Sequence, residues 1–321
     1  MKVVITDYQY ENIDQEKRIF EEAGIELAEY QFKEPKDLIG LIDDTDAIIT
    51  QYSDINAEVI ENLQHCKMII KYGIGVNNID VEAASKKGIY VCNVPDYGVE
   101  EVSNHAITMI FALSKKLPTI TRALREGDWG YNSIVPLYRF SEATVGLVGF
   151  GRIPQMVAKK LAGFGVKILA YDPYINEELA KHMGVVPVDF ETLCRESDYI
   201  SLHCPLTAET EHLFNLETFK MMKDTAVLVN TARGPIIKEE DLITALKEGM
   251  IAGAGLDVFE TEPVSVDNPL LHMENVIATP HCAWYSLRAI DNVQRKAAEE
   301  VANVLLGNEP WNCVNRKALG K

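Results

Sequence analysis

VGLVGFGRIPQMVAKKL, residues 145 to 161, joins an apolar run to an amphipathic one across two glycines, Gly149 and Gly151. It reads as strand, turn and helix. With the acid Asp172 closing the next apolar run about 20 residues on, the stretch has the form of a dinucleotide-binding turn. Gly149 permits the tight turn, and Gly151 lets backbone approach a pyrophosphate that the N–H groups of Arg152 and Ile153 bind at the helix start. Asp172 is suited to accept from the adenosine ribose hydroxyls and to repel a 2′-phosphate. YDPYINEE (171 to 178) supplies no Arg or Lys, so NAD is expected rather than NADP.

Where the usual motif has its third glycine this chain has Pro154. A proline in a helix's first turn removes an N–H that had no partner there. It also pushes the preceding residue, Ile153, away from helical angles. The expectation is a helix starting about one residue late and set slightly farther from its strand.

Outward from this turn, strand-like runs alternate with helical ones. TVGLVGF, VKILAYD, DYISLHC, TAVLVNT, GAGLDVF and NVIATP give six strands of one doubly wound parallel sheet. Before them, VVIT (3 to 6), IELAEY (25 to 30), DAIIT (46 to 50), MIIKY (68 to 72) and GIYVCNV (88 to 94) form a second βα series ending near Pro95. EVSNHAITMIFALSKKL (101 to 117) is a long helix suited to bridging two domains. SLRAIDNVQRKAAEEVANVLL (286 to 306) is an amphipathic helix that follows the completed second sheet and is free to return to the first.

The 321 residues suit two domains. Lys plus Arg total 31 against 48 Asp plus Glu, and a net charge of −17 repels nucleic acid and anionic membrane surfaces. The N-terminus is too short of apolar residues for a signal peptide, and no run approaches the roughly 20 needed to span a membrane, so a cytoplasmic protein is expected. Six cysteines, without a C-x-x-C pair, read as reduced core residues. Cys282 follows His281, but neighbours on an extended segment point opposite ways. His and acid spacings show no metal-ligand cluster.

Three stretches fall at strand ends, where open α/β sheets bind ligands: VNTARGPII (229 to 237), LDVFETEP (256 to 263) and ATPHCAW (278 to 284). Arg233 can grip a carboxylate with two parallel bonds. His281 can give a proton to a carbonyl oxygen, and Glu262 can hold that imidazole and keep it protonated near neutrality. Singly, each has a plain structural reading: a helix cap, a turn acid, a loop histidine. Together with the cofactor turn they suffice for reversible carbonyl reduction.

GFGRI with Asp172, HCPLT (203 to 207), NTARG, DVFETEP, TPH and KYGIGVNNID (71 to 80) resemble, in order and spacing, the D-isomer-specific 2-hydroxyacid dehydrogenase family. The resemblance covers nearly the whole chain. It implies a flavodoxin-like substrate domain from both termini, 1–98 plus 286–321, and an inserted Rossmann NAD domain, 99–285, with a cleft between them, and it implies homodimers. It also implies Arg233 as the substrate-carboxylate arginine, Glu262 as the acid paired with histidine and His281 as the general acid/base.

The loop Tyr72, Gly73, Ile74, Gly75 resembles the family's backbone donors to that carboxylate, or is a plain tight turn. Thr231, with Ala232 beside it, and Asp257 resemble positions near the nicotinamide, although Asp257 also reads as a structural acid. His203 and Pro205 resemble the adenine side. Trp284 and Tyr285 either roof the substrate or pack an interface, and His105 reads as core or interface. Asn77 and Asn78 replace the commoner Asp-Asn pair.

TQYSDIN (50 to 56) offers Asp54 and no Arg or Lys, so a small unphosphorylated 2-oxo acid is expected, of the glyoxylate, hydroxypyruvate or pyruvate kind. Formate chemistry pairs its histidine with Gln, and Glu262 stands here instead. YGVEEVSNHAI and TPHCAWYS also resemble the C-terminal-binding-protein branch. That is the rival reading: an NADH-responsive co-repressor, in which the cofactor is a conformational signal.

Overall fold

The computed structural model of the chain describes residues 1–32 and 34–320. It divides into two units, Met1–Gly98 with Ser286–Lys321, and Val99–Tyr285.

In the first unit β1 (Lys2–Ile5), β2 (Glu26–Glu29), β3 (Ala47–Thr50), β4 (Met68–Lys71) and β5 (Tyr90–Cys92) form one parallel sheet in the order β2-β1-β3-β4-β5. The central strands are short aliphatic runs buried almost throughout, as a sheet covered by helices on both faces requires. The helices are α1 (Asp14–Glu22), α2 (Ala57–Asn62), α3 (Val81–Lys86) and the chain's last helix, α11 (Leu287–Leu305). Asn56 and Asp80 cap α2 and α3, and the Ser286 hydroxyl accepts the Ala289 N–H at 2.9 Å to start α11. α11 packs against α1.

In the second unit the strands are β6 (Thr144–Val148), β7 (Lys167–Tyr171), β8 (Val185–Pro187), β9 (Tyr199–Leu202), β10 (Val227–Asn230), β11 (Gly253–Leu256) and β12 (Val276–Ala278). All pair in parallel in the order β12-β11-β10-β9-β6-β7-β8. The helices are α4 (Val99–Ser114), α5 (Leu117–Arg125), α6 (Arg152–Leu161), α7 (Glu177–His182), α8 (Phe190–Glu196), α9 (Leu216–Met221) and α10 (Glu239–Lys247). The chain enters mid-sheet at β6, winds outward to β8 and returns to β9, so the winding reverses between β6 and β9. That reversal puts the glycine turn where doubly wound sheets bind ligands. Among the described residues no helix is long and apolar enough to cross a membrane.

Two expectations need correction. The sheet has seven strands where six were read, because β8 is a three-residue edge strand ending in Pro187, too short to show a period. An edge tolerates the proline, whose missing N–H faces outward. The second correction concerns Pro154. α6 begins at Arg152 with Gly151 as its cap, and Gln155 N–H makes the first bond of the helix, to the Gly151 carbonyl, at 3.1 Å. The helix does not start late. Pro154 occupies the third helical position, so its absent N–H is one of the four that a helix start leaves unpaired in any case. Its ring is buried, and the steric push on Ile153 is outweighed by the packing of α6 on α4.

α8 lies close over β6. A Cβ on Gly146 would fall 2.3 Å from Ser197 Oγ and 2.9 Å from the Leu193 side chain. Gly146→Ala is expected to destabilise the protein by about 1–3 kcal/mol through overpacking, read as a lower denaturant midpoint at unchanged slope.

Candidate active site

The turn after β6 is shaped by two glycines with different duties. Gly149 has φ of +93°, a left-handed conformation that a Cβ opposes, and an added Cβ would also lie 2.9 Å from Cys204 N and 3.0 Å from the His203 carbonyl carbon. Glycine is thus needed where the β6 turn lies against the loop leaving β9. Around Gly151 an added Cβ meets nothing within 4 Å, so the approach to the start of α6 is open. The N–H groups of Arg152 and Ile153 precede the first intrahelical bond and point out of the helix.

At the end of β7 the Asp172 carboxylate accepts the Phe150 N–H at 2.8 Å on one oxygen and the Tyr174 N–H at 2.8 Å on the other. This fixes its plane and leaves lone pairs for hydroxyl donors. His203 Nε2 lies 2.9 Å from Ser201 Oγ, and burial pushes the imidazole down to about 3, so it is an uncharged wall at neutral pH. The Pro205 carbonyl accepts the Thr210 hydroxyl at 2.6 Å. Thr231 Oγ1 is buried with no hydrogen-bond partner among the described residues. An open glycine, two outward amides, an anchored carboxylate and an unpaired buried hydroxyl are what a dinucleotide needs, and the residues present fit one.

β10, β11 and β12 are adjacent, so the loops carrying Arg233, Glu262 and His281 leave one edge of the sheet side by side. The fully buried Asn230 draws the first loop into a turn, accepting the Ala232 N–H at 2.9 Å and donating to the Arg233 carbonyl at 2.8 Å. One Arg233 Nη donates back to the Ala232 carbonyl at 2.6 Å. Gly234 then lies flat on the second loop: a Cβ there would be 1.8 Å from the Phe259 carbonyl oxygen. That second loop is tied down by Glu260, which meets His212 Nε2 at 2.9 Å and accepts the Glu239 N–H at the start of α10, at 3.2 Å.

Glu262 accepts the Phe259 N–H on one oxygen at 3.1 Å and meets His281 Nδ1 with the other at 2.6 Å. Burial pulls its carboxyl upward. The His281 hydrogen bond and charge outweigh that, with the Phe259 amide and the Arg233 charge behind them, and hold it below the ordinary carboxylate value. Glu262 is therefore anionic at neutral pH and orients the imidazole through Nδ1, leaving Nε2 as the nitrogen that exchanges a proton.

His281 has φ of +51°, uncommon for a residue with a side chain. Asp257, 1% exposed, holds it there. The Asp257 carbonyl accepts the His281 N–H at 2.8 Å, and its carboxylate accepts the Thr279 hydroxyl at 2.5 Å and the N–H groups of Cys282 and Ala283 at 3.0 and 2.9 Å. Because Thr279 spends its only proton on Asp257, His105 Nε2, 3.0 Å from Thr279 Oγ1, is the donor to it. The Asp257 carboxylate thus shapes the turn. Trp284 donates its indole N–H to the His281 carbonyl at 3.0 Å. Burial and the Asp257 charge push the Cys282 thiol up, so it is no thiolate nucleophile.

The loop Tyr72–Gly75 belongs to the first unit. The Tyr72 N–H bonds the Thr50 carbonyl and the Gly73 N–H bonds the Lys71 carbonyl, both at 2.8 Å, while the Tyr72 hydroxyl donates inward to Glu16 at 2.6 Å. Of the four residues, Ile74 and Gly75 keep amides with no such partner among the described residues. Nearby, Asp7 at the end of β1 gathers the next loop, accepting the N–H groups of Gln51, Tyr52 and Ser53 at 3.1, 2.6 and 3.1 Å. Lys71 donates to the Gln51 carbonyl and lies over the Tyr52 ring. A cation counted absent within residues 50 to 56 therefore reaches that loop from β4, which no local reading of the stretch could find.

Sequence reasoning also missed Asn230, Gly234, Thr279 and Asp7. The first two stand inside NTARG, where an Asx turn before a glycine was a usable signal. Thr279 and Asp7 gave none, since their partners are 22 and 44 to 46 residues away in sequence.

Gly234→Ala is expected to cost about 1–3 kcal/mol of stability and to lower turnover at least tenfold, because the Arg233 and Glu262 loops must part to admit the methyl. Turnover at the wild-type level in a folded variant would show that the two loops need not touch.

Residues 107–283 match the family described as D-isomer specific 2-hydroxyacid dehydrogenase, NAD binding domain. The chain is 41% identical over 288 residues to a glyoxylate reductase of Korarchaeum cryptofilum, covering 88% of this chain and 87% of that enzyme. It is 40% identical over 318 residues to a D-3-phosphoglycerate dehydrogenase of Methanocaldococcus jannaschii, covering 98% of this chain but 59% of that longer enzyme. Among solved structures it resembles the D-lactate dehydrogenase of Aquifex aeolicus complexed with NAD and lactic acid, at TM-score 0.87 and 30% identity, covering 97% of this chain and 98% of that one. The co-repressor reading gains no support from these relatives, all of which are named as enzymes. With orphaned Thr231, open Gly151 and the Glu262–His281 pair on the strand ends that the matched region spans, the chain belongs to the D-isomer specific 2-hydroxyacid dehydrogenase family and carries its NAD-binding domain.

Proposed function

We propose that the protein reduces a small 2-oxo acid to the D-2-hydroxy acid with NADH, reversibly, and that His281 is its general acid/base. The observation that carries this reading is the 2.6 Å contact between His281 Nδ1 and Glu262, on loops beside Arg233. When bound, the reduced dinucleotide supplies a hydride to C2 of the acid. His281 Nε2 gives the proton to the carbonyl oxygen, and in the reverse direction takes it from the hydroxyl. Glu262 stabilises the imidazolium and fixes its plane, and Arg233 holds the substrate carboxylate as a fork of donors.

Gly149 and Gly151 admit the dinucleotide, whose pyrophosphate the Arg152 and Ile153 amides receive. Asp172 takes the ribose hydroxyls, His203 and Pro205 flank the adenine side, and Thr231 and Ala232 face the nicotinamide. Asp257, which holds the His281 turn, stands beside Thr231 on the nicotinamide side. Within the first unit Ile74 and Gly75 carry the carboxylate-binding amides of the Tyr72–Gly75 loop. Trp284, its N–H already spent, offers an apolar wall to the substrate. The protein acts as a homodimer: α5 buries no residue, and after it Trp129, Tyr131 and Tyr138 are exposed, a surface suited to a second copy.

The substrate proposed is unphosphorylated, since Asp54 sets a negative charge directly after the Gln51–Ser53 loop that Lys71 reaches. Lys71 favours a second reading, an acid that carries a phosphate.

A panel of glyoxylate, hydroxypyruvate, pyruvate and 3-phosphohydroxypyruvate, followed by NADH absorbance, separates the two. Turnover confined to the phosphorylated acid would replace the first reading, and turnover of none would end both. His281→Ala is expected to lower kcat about 100- to 10,000-fold while NADH binding, read by fluorescence, persists. NADH is expected to outperform NADPH at least tenfold in kcat/KM, and Asp172→Ser to narrow that ratio; equal use of both by the wild type would contradict the role of Asp172.

A further inference from the structure

Near its end the chain returns to the edge of the five-stranded sheet. Val314 N–H donates to the Val91 carbonyl at 2.8 Å and Asn93 N–H to the Asn312 carbonyl at 3.3 Å, so residues 312–314 run antiparallel to β5. Those two bonds bracket Cys92 and Cys313, which are partners in the bridge. They form the narrow, non-hydrogen-bonded kind of antiparallel pair, with Cα atoms about 4.5 Å apart and side chains on one face. Disulfides span Cα separations of roughly 4.4–6.8 Å. The backbone therefore already holds the geometry of a cross-strand disulfide.

Both thiols are reduced, and they face one another closely enough to hydrogen-bond, with Cys313 Sγ also 3.2 Å from Asn315 Oδ1. Asn315 in turn accepts the Val91 N–H and donates to the Ile89 carbonyl, each at 2.9 Å, so the segment is anchored in register. We propose that Cys92 and Cys313 are a modification site: a dithiol that a peroxide oxidises to a disulfide, stapling the C-terminal segment to β5. The partly exposed Cys313 sulfur attacks a peroxide oxygen, forming a sulfenic acid and releasing water. The Cys92 sulfur then displaces the sulfenic hydroxyl as a second water, forming S–S, and the two electrons lost by the sulfurs are those gained by the peroxide.

Acidity does not select this pair, because burial pushes all six thiols of the chain up. Proximity selects it. With little thiolate at neutral pH the oxidation is slow, which suits a lasting crosslink and not a fast sensor.

The test treats the full-length protein with hydrogen peroxide, alkylates the remaining thiols and maps peptides by mass spectrometry. The expected result is one peptide pair joining Cys92 to Cys313, lighter by two hydrogens, and a melting temperature higher by about 5 °C that dithiothreitol reverses. C313S, at a partly exposed position, is expected to fold and to lose both signals. The proposal is overturned if the folded protein leaves both residues open to alkylation, if Cys313 stops at a sulfinic or sulfonic acid, or if either cysteine crosslinks elsewhere.

Discussion

One buried carboxylate sets the geometry of this site. Asp257 collects the Thr279 hydroxyl and two successive amides, and with its own carbonyl accepts the His281 N–H. Hydrogen bonds to a charged group are worth about 1.5–3 kcal/mol each, more than the roughly 1–2 kcal/mol that a left-handed residue costs. The strained conformation of His281 is therefore imposed by its surroundings. It turns the imidazole toward Glu262, and without that turn the acid and the base would stand on neighbouring loops without meeting.

Close backbone approach makes the second constraint. Gly149 lets the loop leaving β9 lie on the cofactor turn, and Gly234 lets the arginine loop lie on the loop of Glu262. Both contacts bring strand-end loops into register with one another, so the binding groups inherit the order of the sheet. Pro154 shows the other side of this reasoning. At the third position of α6 neither a side chain nor a missing N–H disturbs anything, and the glycine of the usual motif is dispensable there.

The first unit uses the same device with different residues. Asp7 folds the Gln51–Ser53 loop around its carboxylate much as Asp257 folds the His281 turn, each by accepting consecutive amides at a strand end. Next to it Lys71 covers the Gln51 carbonyl, so the charge offered by this loop depends on a residue from another strand.

Both doubly wound sheets, the glycine turn with Asp172, and the placing of Arg233, Glu262 and His281 after strand ends were legible in the chain itself, because each depends on local signals: a two-residue period, a helix start, a polar residue closing an apolar run. The edge strand β8 was not, being too short to show a period. Nor was the start of α6, where steric bias at Ile153 competed with packing that only the folded chain supplies. What surrounds each of the two carboxylates, Asp257 and Glu262, was decided by tertiary structure. Asp257 and Glu262 look alike in DVFETEP, and they part company because one is sealed among amide donors while the other keeps an oxygen for an imidazole.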